Sequence, residues 1–194
     1  MTRTLAALMM TVTALGAAFS AAPALAQGAK GPSNVVSPQP LPIDDSRPRV
    51  FLGGSIDMGG APDWQAAMTS ALADMDVVIL NPRRPDWNPN WRPEADEPEF
   101  RRQVEWELAA LESADVIVMY FAPGTQSPIS LLEMGLHARG GKLIVLAPEG
   151  FWRKGNVDIT AQAYGVKQVQ SLPELTAAVR EALGAAASKG RFAR

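Results

Sequence analysis

The stretch Ser113–Lys142, SADVIVMYFAPGTQSPISLLEMGLHARGGK, constrains the fold more than any other part of the chain. Its continuous apolar run, Val116–Phe121, predicts a strand. A turn-rich loop, Ala122–Ser127, follows, and Pro128 opens a helix that Gly140-Gly141 stops. One acid, Glu133, sits in that otherwise apolar helix. Helical spacing places it at the edge of a stripe formed by Ile129, Leu132 and Leu136, which is expected to be buried. A lone carboxylate there is costly to desolvate, so Glu133 has to be paired, hydrogen-bonded or functional. In an open α/β sheet the mouth of a strand-to-helix loop is also where ligands bind.

The flanking sequence repeats the strand-then-helix pattern. Arg49–Gly53 reads as a first buried strand feeding a tight turn at Gly53-Gly54-Ser55. Asp63 is a candidate N-cap for a helix to about Ala73, with Trp64, Met68 and Leu72 on one face. Val77–Leu80 is the next strand, and strand, helix, strand predicts parallel pairing with a right-handed crossover. Glu99–Glu112 is a strong helix whose apolar stripe, Phe100, Val104, Leu108 and Leu111, contains a second acid, Glu107, in its middle. Leu143–Leu146 and a short run at Val166–Val169 are further strands, and Pro173–Leu183 is a closing helix. The sum is an α/β fold: a single doubly wound, mostly parallel five-stranded sheet, flavodoxin-like or Rossmann-like. Such a fold does not by itself give function.

The ends differ in composition. Residues 1–26 have a short positive start at Arg3, an apolar run from Leu5 to Phe19 and the small-x-small pattern Ala24-Leu25-Ala26, which together predict a secretory signal peptide in preference to an uncleaved membrane anchor. The expected location is therefore exported, periplasmic or secreted, with no stable membrane insertion after cleavage. Residues 27–48 hold five prolines and read as an extended linker, residues 49–184 as the domain and 185–194 as a frayed tail. The chain has no cysteine, which excludes a disulfide framework and lipid attachment at a thiol. A net charge of −2 without a Lys/Arg block provides no footprint for nucleic acid or an anionic membrane, and a small-molecule or protein partner is expected.

Two loops stand out. A loop as long as Asn81–Pro98, NPRRPDWNPNWRPEADEP, is functional or disordered; its tryptophans favour a folded flap, whose Arg83, Arg84 and Asp86 either contact a polar ligand or are simply solvated. PEGFWRKGN after the fourth strand is the other. Glu107 and Glu133 lie on helices bordering the same strand. Paired carboxylates of this kind are what displacement at an anomeric carbon requires. They are equally what a structural pair held by arginines such as Arg101 or Arg139 would look like. Other chemistries have less support. The G-x-G-x-x-G and P-loop patterns are absent, Ser130 is not in G-x-S-x-G, and Ser127 is placed to N-cap a helix. One histidine, His137, and no cysteine give no transition-metal site, and no cofactor or metal is expected; an oxygen-ligated Mg²⁺ or Ca²⁺ stays open.

FLGGSIDMGGAPDWQ, NPRRPDW, QVEWELAALESADVIVMYFAPGTQSPISLLEMG and PEGFWRKGNV, in this order, resemble the nucleoside 2-deoxyribosyltransferase-like family over about Val50 to Val157. The resemblance implies a flavodoxin-like fold, transfer of 2-deoxyribose between nucleobases by double displacement, and oligomers that share active sites. It assigns the nucleophile to Glu133, within Glu133-Met134-Gly135, and the acid that handles the base to Glu107. Gly53, Gly54, Ser55, Asp86, Trp87, Ser127 and Asn156 are candidates for binding the substrate. Two positions depart from the pattern: Phe51 stands where those transferases carry a tyrosine, and Ser127 where they carry a further acid. The expected partner is a nucleoside or nucleobase, with a homo-oligomer possible. The alternatives are a nucleoside hydrolase, a non-catalytic module that binds a nucleoside-like ligand, and a purely structural exported domain.

Overall fold

The computed structural model describes residues 31–57 and 60–190, so the expected signal segment lies outside the described residues. The elements, in chain order, are β1 (Ser33–Val36), β2 (Arg49–Gly54), α1 (Trp64–Ala71), β3 (Val78–Asn81), α2 (Pro98–Ser113), β4 (Val116–Tyr120), α3 (Pro128–His137), β5 (Leu143–Leu146), α4 (Lys154–Tyr164), β6 (Lys167–Val169) and α5 (Leu172–Lys189). The strands form one sheet in the order β1-β3-β2-β4-β5-β6. Every neighbouring pair is parallel. Both faces are covered. Trp64, Met68 and Leu72 at α1 and Leu175, Val179 and Leu183 of α5 pack on one side with Val50, Leu52 and Val118. Trp106 and Leu111 of α2, Met134 of α3 and Val157 of α4 pack on the other with Phe51, Leu80 and Ile117. The doubly wound α/β architecture is therefore the one the apolar runs predicted.

The sheet order fixes where a site can form. From β2 the chain goes first to β3 on one side and then, through α2, to β4 on the other. The connections after β2 and β4 thus leave in opposite directions, and a crevice opens between them at their C-terminal ends. Gly54 makes this close approach possible: its φ is 133°, and a Cβ there would collide with the backbone of Tyr120 on β4.

The structure differs from the expectation in four respects. The sheet has a sixth strand, β1, inside the stretch read as a linker. Its prolines bracket the strand, at 32 and 38, without interrupting it, and an edge position tolerates them. The stretch is also bound to the domain by side chains. Arg49 Nη2 donates to the carbonyls of Pro42 (2.6 Å), Ile43 (2.8 Å) and Asp45 (3.1 Å), and Trp106 Nε1 donates to that of Gln39 (2.7 Å). Secondly, the loop after β5 runs straight into α4, whose signal was limited to Val157 and Ala161 at an i, i+4 spacing and the left-handed cap at Gly165. Thirdly, α5 continues to Lys189, so most of the expected tail is helix.

The fourth difference is the facing of α2 and α3. Ile129, Leu132 and Leu136 are 58%, 59% and 60% exposed, and α3 turns Ser130, Glu133 and Met134 inward instead. On α2 the buried residues are Gln103, Trp106, Ala110 and Leu111, while Val104 and Leu108 are exposed. Each helix carries two apolar faces, and periodicity finds apolar residues without saying which face meets the sheet.

The arm matters energetically through Ser37, whose buried hydroxyl donates to Gln103 Oε1 at 2.6 Å. Ser37→Ala leaves that acceptor unpaired in the interior and is expected to destabilise the protein by about 1–3 kcal/mol in urea denaturation. An unchanged midpoint would show that the arm is not part of the folded unit.

Candidate functional site

The crevice is a cleft of about 1280 Å³. Its walls come from the ends of β2 and β3, the 81–98 flap, α2 and α3, including Gly53, Gly54, Arg84, Trp87, Glu107, Ser127, Ser130 and Glu133. It accommodates a nucleoside-sized ligand with room for a second ring.

Glu133 is 7% exposed on the inward face of α3. Burial pushes its carboxyl up from 4.5 to about 8, and the charge of Glu107 adds to the rise. Glu107, half-buried one element away on α2, is pushed up to about 7 by burial, against the pull of one hydrogen bond from Gln103 Nε2 at 2.8 Å. Gln103 is itself held on both sides, donating to the carbonyl of Pro82 at 3.0 Å and accepting from Ser37. The arm thereby sets the side chain that sets Glu107.

The structural alternative required an arginine at these acids. Arg101 instead bonds Glu105 (3.1 Å) and the carbonyl of Ala95 (2.8 Å). Arg139 bonds the Tyr164 hydroxyl at 3.2 Å, with its guanidinium over that ring. Two carboxyls close enough to feel each other, with no cation on either among the described residues, titrate as a pair that holds one proton between them near neutrality. Chemically this is one carboxylate beside one carboxylic acid: a nucleophile and a proton donor in the same cleft.

The loop ahead of α3 is built from hydroxyls. Ser55 Oγ lies 2.7 Å from both Thr125 Oγ1 and Ser127 Oγ, which are 3.1 Å apart from each other. Ala122 N–H donates to Ser55 Oγ at 2.8 Å, and Thr125 donates to the Ala122 carbonyl at 2.9 Å. Ser127 occupies the N-cap position, yet its backbone is left-handed at φ 46° and its side chain caps nothing. The expected capping role is corrected: the hydroxyl is turned sideways into the cluster.

In the flap, Trp87 and Trp91 meet edge to face at 5.2 Å, and the Arg84 guanidinium lies 4.8 Å from the Trp91 ring centre. The stretch is therefore folded on its own aromatic cluster. Of the residues expected at the site, Glu133, Glu107, Gly53, Gly54, Ser127 and Trp87 come together in the cleft. Ser55 lies just behind Ser127. Asp86 points outward, 2.8 Å from Arg84, which holds its carboxyl well below the usual range, at about 2. Asn156 lies on α4 beside a separate hollow of about 340 Å³ on the other side of α3. Phe51 is wholly buried in the core, is not among the residues that line the cleft, and carries no hydroxyl. Gln103, Thr125 and Ser130 were not anticipated at the site, although Gln103 stands four residues before Glu107, the spacing at which helical side chains meet.

The raised acids make stability fall with pH. Between about pH 4.5 and 8 the folded chain holds protons that the unfolded chain has released, so their contribution is complete below about 4.5 and is lost as pH rises through about 7 and 8. Glu133→Gln cannot ionise. It is expected to exceed the wild type in stability by on the order of 2–4 kcal/mol at pH 9 and by much less at pH 5, as read from thermal unfolding at both. A difference independent of pH would mean that Glu133 is not desolvated.

Comparison with known proteins bears on the same elements. No curated protein sequence matches this one. A crystal structure of a conserved protein from Enterococcus faecalis V583 superposes with a TM-score of 0.52 at 12% sequence identity, covering 70% of this chain and 99% of that one, which shows a shared fold. The family model described as nucleoside 2-deoxyribosyltransferase like matches residues 47–151, which span β2 to the loop after β5 and contain both acids. With more than half of its length matched, the chain belongs to the nucleoside 2-deoxyribosyltransferase-like family.

Proposed function

We propose that this protein is an enzyme that cleaves the N-glycosidic bond of (deoxy)nucleosides and transfers the 2-deoxyribosyl group to a second base. The observation that carries this reading is the desolvated pair Glu107 and Glu133 on the walls of a nucleoside-sized cleft, with no arginine or lysine on either acid among the described residues. Glu133 attacks the anomeric carbon on the face opposite the base. The bond from that carbon to the base nitrogen breaks, its electron pair goes to the nitrogen, and Glu107 supplies the proton. A second base then attacks the same carbon, the Glu133 carboxylate leaves, and the incoming N–H proton returns to Glu107. Water in place of the second base makes the enzyme a hydrolase. Trp87 on the flap supplies an aromatic surface for a base and helps to keep water out.

A second reading has one observation in its favour. Because Phe51 is sealed in the core and carries no hydroxyl, nothing from that strand position assists Glu133, as expected of a module that binds a nucleoside-like ligand without turning it over. The two readings separate in one experiment. The full chain is incubated with a panel of 2′-deoxynucleosides, with and without a free acceptor base, and the products are separated. A new nucleoside formed only with the acceptor supports transfer, free base alone means hydrolysis, and binding without product supports the module. Under the enzymatic reading Glu133→Gln lowers turnover about 10³-fold or more. The rate is expected to peak where the pair holds one proton, between about pH 7 and 8. It falls at lower pH as the pair takes up a second proton, which leaves no carboxylate to attack, and at higher pH as the pair loses its last proton, which leaves no acid.

We also propose export, from the signal pattern of residues 1–26, and a homo-oligomer. The exposed Val104, Leu108, Ile129, Leu132 and Leu136 all border the cleft mouth, a concentration of apolar surface that a second copy would cover. Leu132→Glu is expected to shift the chain to monomers in sedimentation analysis; an unchanged sedimentation coefficient would place any association elsewhere.

A further inference from the structure

We propose that Gln103 is a positioning residue for the proton donor: it holds one oxygen of Glu107 as a permanent acceptor and so confines the acid's proton to the other. The N-terminal arm, through Ser37, keeps Gln103 in that role. The inference rests on the nucleoside reading above, in which Glu107 protonates the departing base, and adds two residues that act through it.

Gln103 is 5% exposed, and its amide is committed on every side. The Pro82 carbonyl lies 3.0 Å from Nε2. A carbonyl can only accept, so the amide nitrogen, and not its oxygen, has to face Pro82. Oε1 is then turned the other way and accepts from the Ser37 hydroxyl at 2.6 Å. The remaining Nε2 hydrogen goes to Glu107 Oε1 at 2.8 Å. Nothing on Gln103 is left that could accept a proton from Glu107. A hydrogen on Glu107 Oε1 would meet an N–H, so that oxygen stays an acceptor whether the carboxyl is neutral or charged. The acid's proton is therefore carried on Oε2.

Oε2 is the oxygen left to the cleft. Glu107 lines that cavity, and its bond from Gln103 is the one hydrogen bond its carboxyl makes among the described residues. The other charged groups of the cleft are engaged elsewhere. Arg84 is paired with Asp86 and Glu99, and Arg83 with Asp63. Asp57 follows β2, and Glu133 on α3 meets Glu107 only through charge. On α2 itself Arg101 is paired with Glu105. In the first step the proton leaves Oε2 for the base nitrogen as the bond from that nitrogen to the anomeric carbon breaks and its electron pair stays on nitrogen. In the second step the incoming N–H gives its proton to Oε2 as the new bond to carbon forms and the Glu133 carboxylate departs. A carboxyl free to turn would carry its proton on either oxygen and lose part of the benefit of being placed. Ser37 prevents this at one remove: without its hydroxyl, Gln103 Oε1 is unpaired in the interior and the amide no longer has a fixed seat.

The test compares, on the full chain, a 2′-deoxynucleoside turned over in the panel above with a counterpart whose base leaves readily without a proton. That counterpart is 7-methyl-2′-deoxyguanosine for a purine and 5-nitro-2′-deoxyuridine for a pyrimidine. Gln103→Met is expected to lower kcat about 10-fold on the ordinary substrate and less than about 2-fold on the counterpart, with KM little changed on both. The alkaline limb of the rate against pH moves up on the ordinary substrate, because the donor that favoured the Glu107 carboxylate is gone and the pair keeps its last proton to higher pH. Ser37→Ala shows the same selectivity to a smaller degree, and Ser37→Thr, which keeps the hydroxyl, restores the wild-type ratio. Equal slowing of both substrates with the limb unmoved makes Gln103 a residue of the packing alone; it overturns this inference and leaves the nucleoside reading standing. No turnover anywhere in the panel overturns both. Selectivity in Gln103→Met without any in Ser37→Ala removes the arm from the assembly. Should Gln103→Met not fold, Ser37→Ala measured below its unfolding midpoint decides, and uniform slowing there overturns the inference.

Discussion

Everything specific about this cleft depends on keeping two carboxyl groups out of water with no cation on either among the described residues. Removing a carboxylate from solvent is expensive, and the protein meets that cost by protonation, which raises both groups toward neutrality. The arrangement lowers stability at the pH where both acids would ionise. A chain that needed these side chains for packing alone would be better served by amides or aliphatics of the same size. The pair is thus a local cost kept in an otherwise well-packed domain, as acid–base sites commonly are.

The fold supplies the surroundings that make this possible. The switch in strand order between β2 and β4 opens the crevice, and Gly54 lets the two strand ends approach. The N-terminal arm closes the other side: β1 extends the sheet beyond β3, Trp106 is tied to Gln39, and the relay from Ser37 through Gln103 ends on Glu107. A segment with the composition of a linker therefore acts as a brace for the site. Around the mouth the apolar faces of α2 and α3 remain open to solvent, while their inner faces are committed to the sheet.

How much of this was legible in the sequence depends on the kind of signal. Five strands, the parallel sheet and both acids were readable, because continuous apolar runs and an acid at helical spacing are local patterns. The facing of α3 was not. Ile129, Leu132 and Leu136 look like a core stripe, and only the tertiary packing reveals that Met134 meets the sheet instead. That Glu133 is nevertheless buried follows from its place between the two faces. β1 was hidden by the prolines around it, and α4 by a glycine, an asparagine and a threonine in an unpromising composition. The hydroxyl cluster joins residues about 70 positions apart, so no local reading exposes it. The diversion of Ser127 from capping is a consequence of that cluster.

The central claim is that Glu133 becomes covalently attached to a sugar. The most direct measurement is to mix the full chain with a 2′-deoxynucleoside in the absence of acceptor, quench in acid, and locate added mass by peptide mass spectrometry. The account predicts one deoxyribosyl group on the peptide that contains Glu133, and none when Glu133→Gln is treated identically. Product formation with the Glu133 peptide unmodified, or with the sugar on another residue, would contradict it.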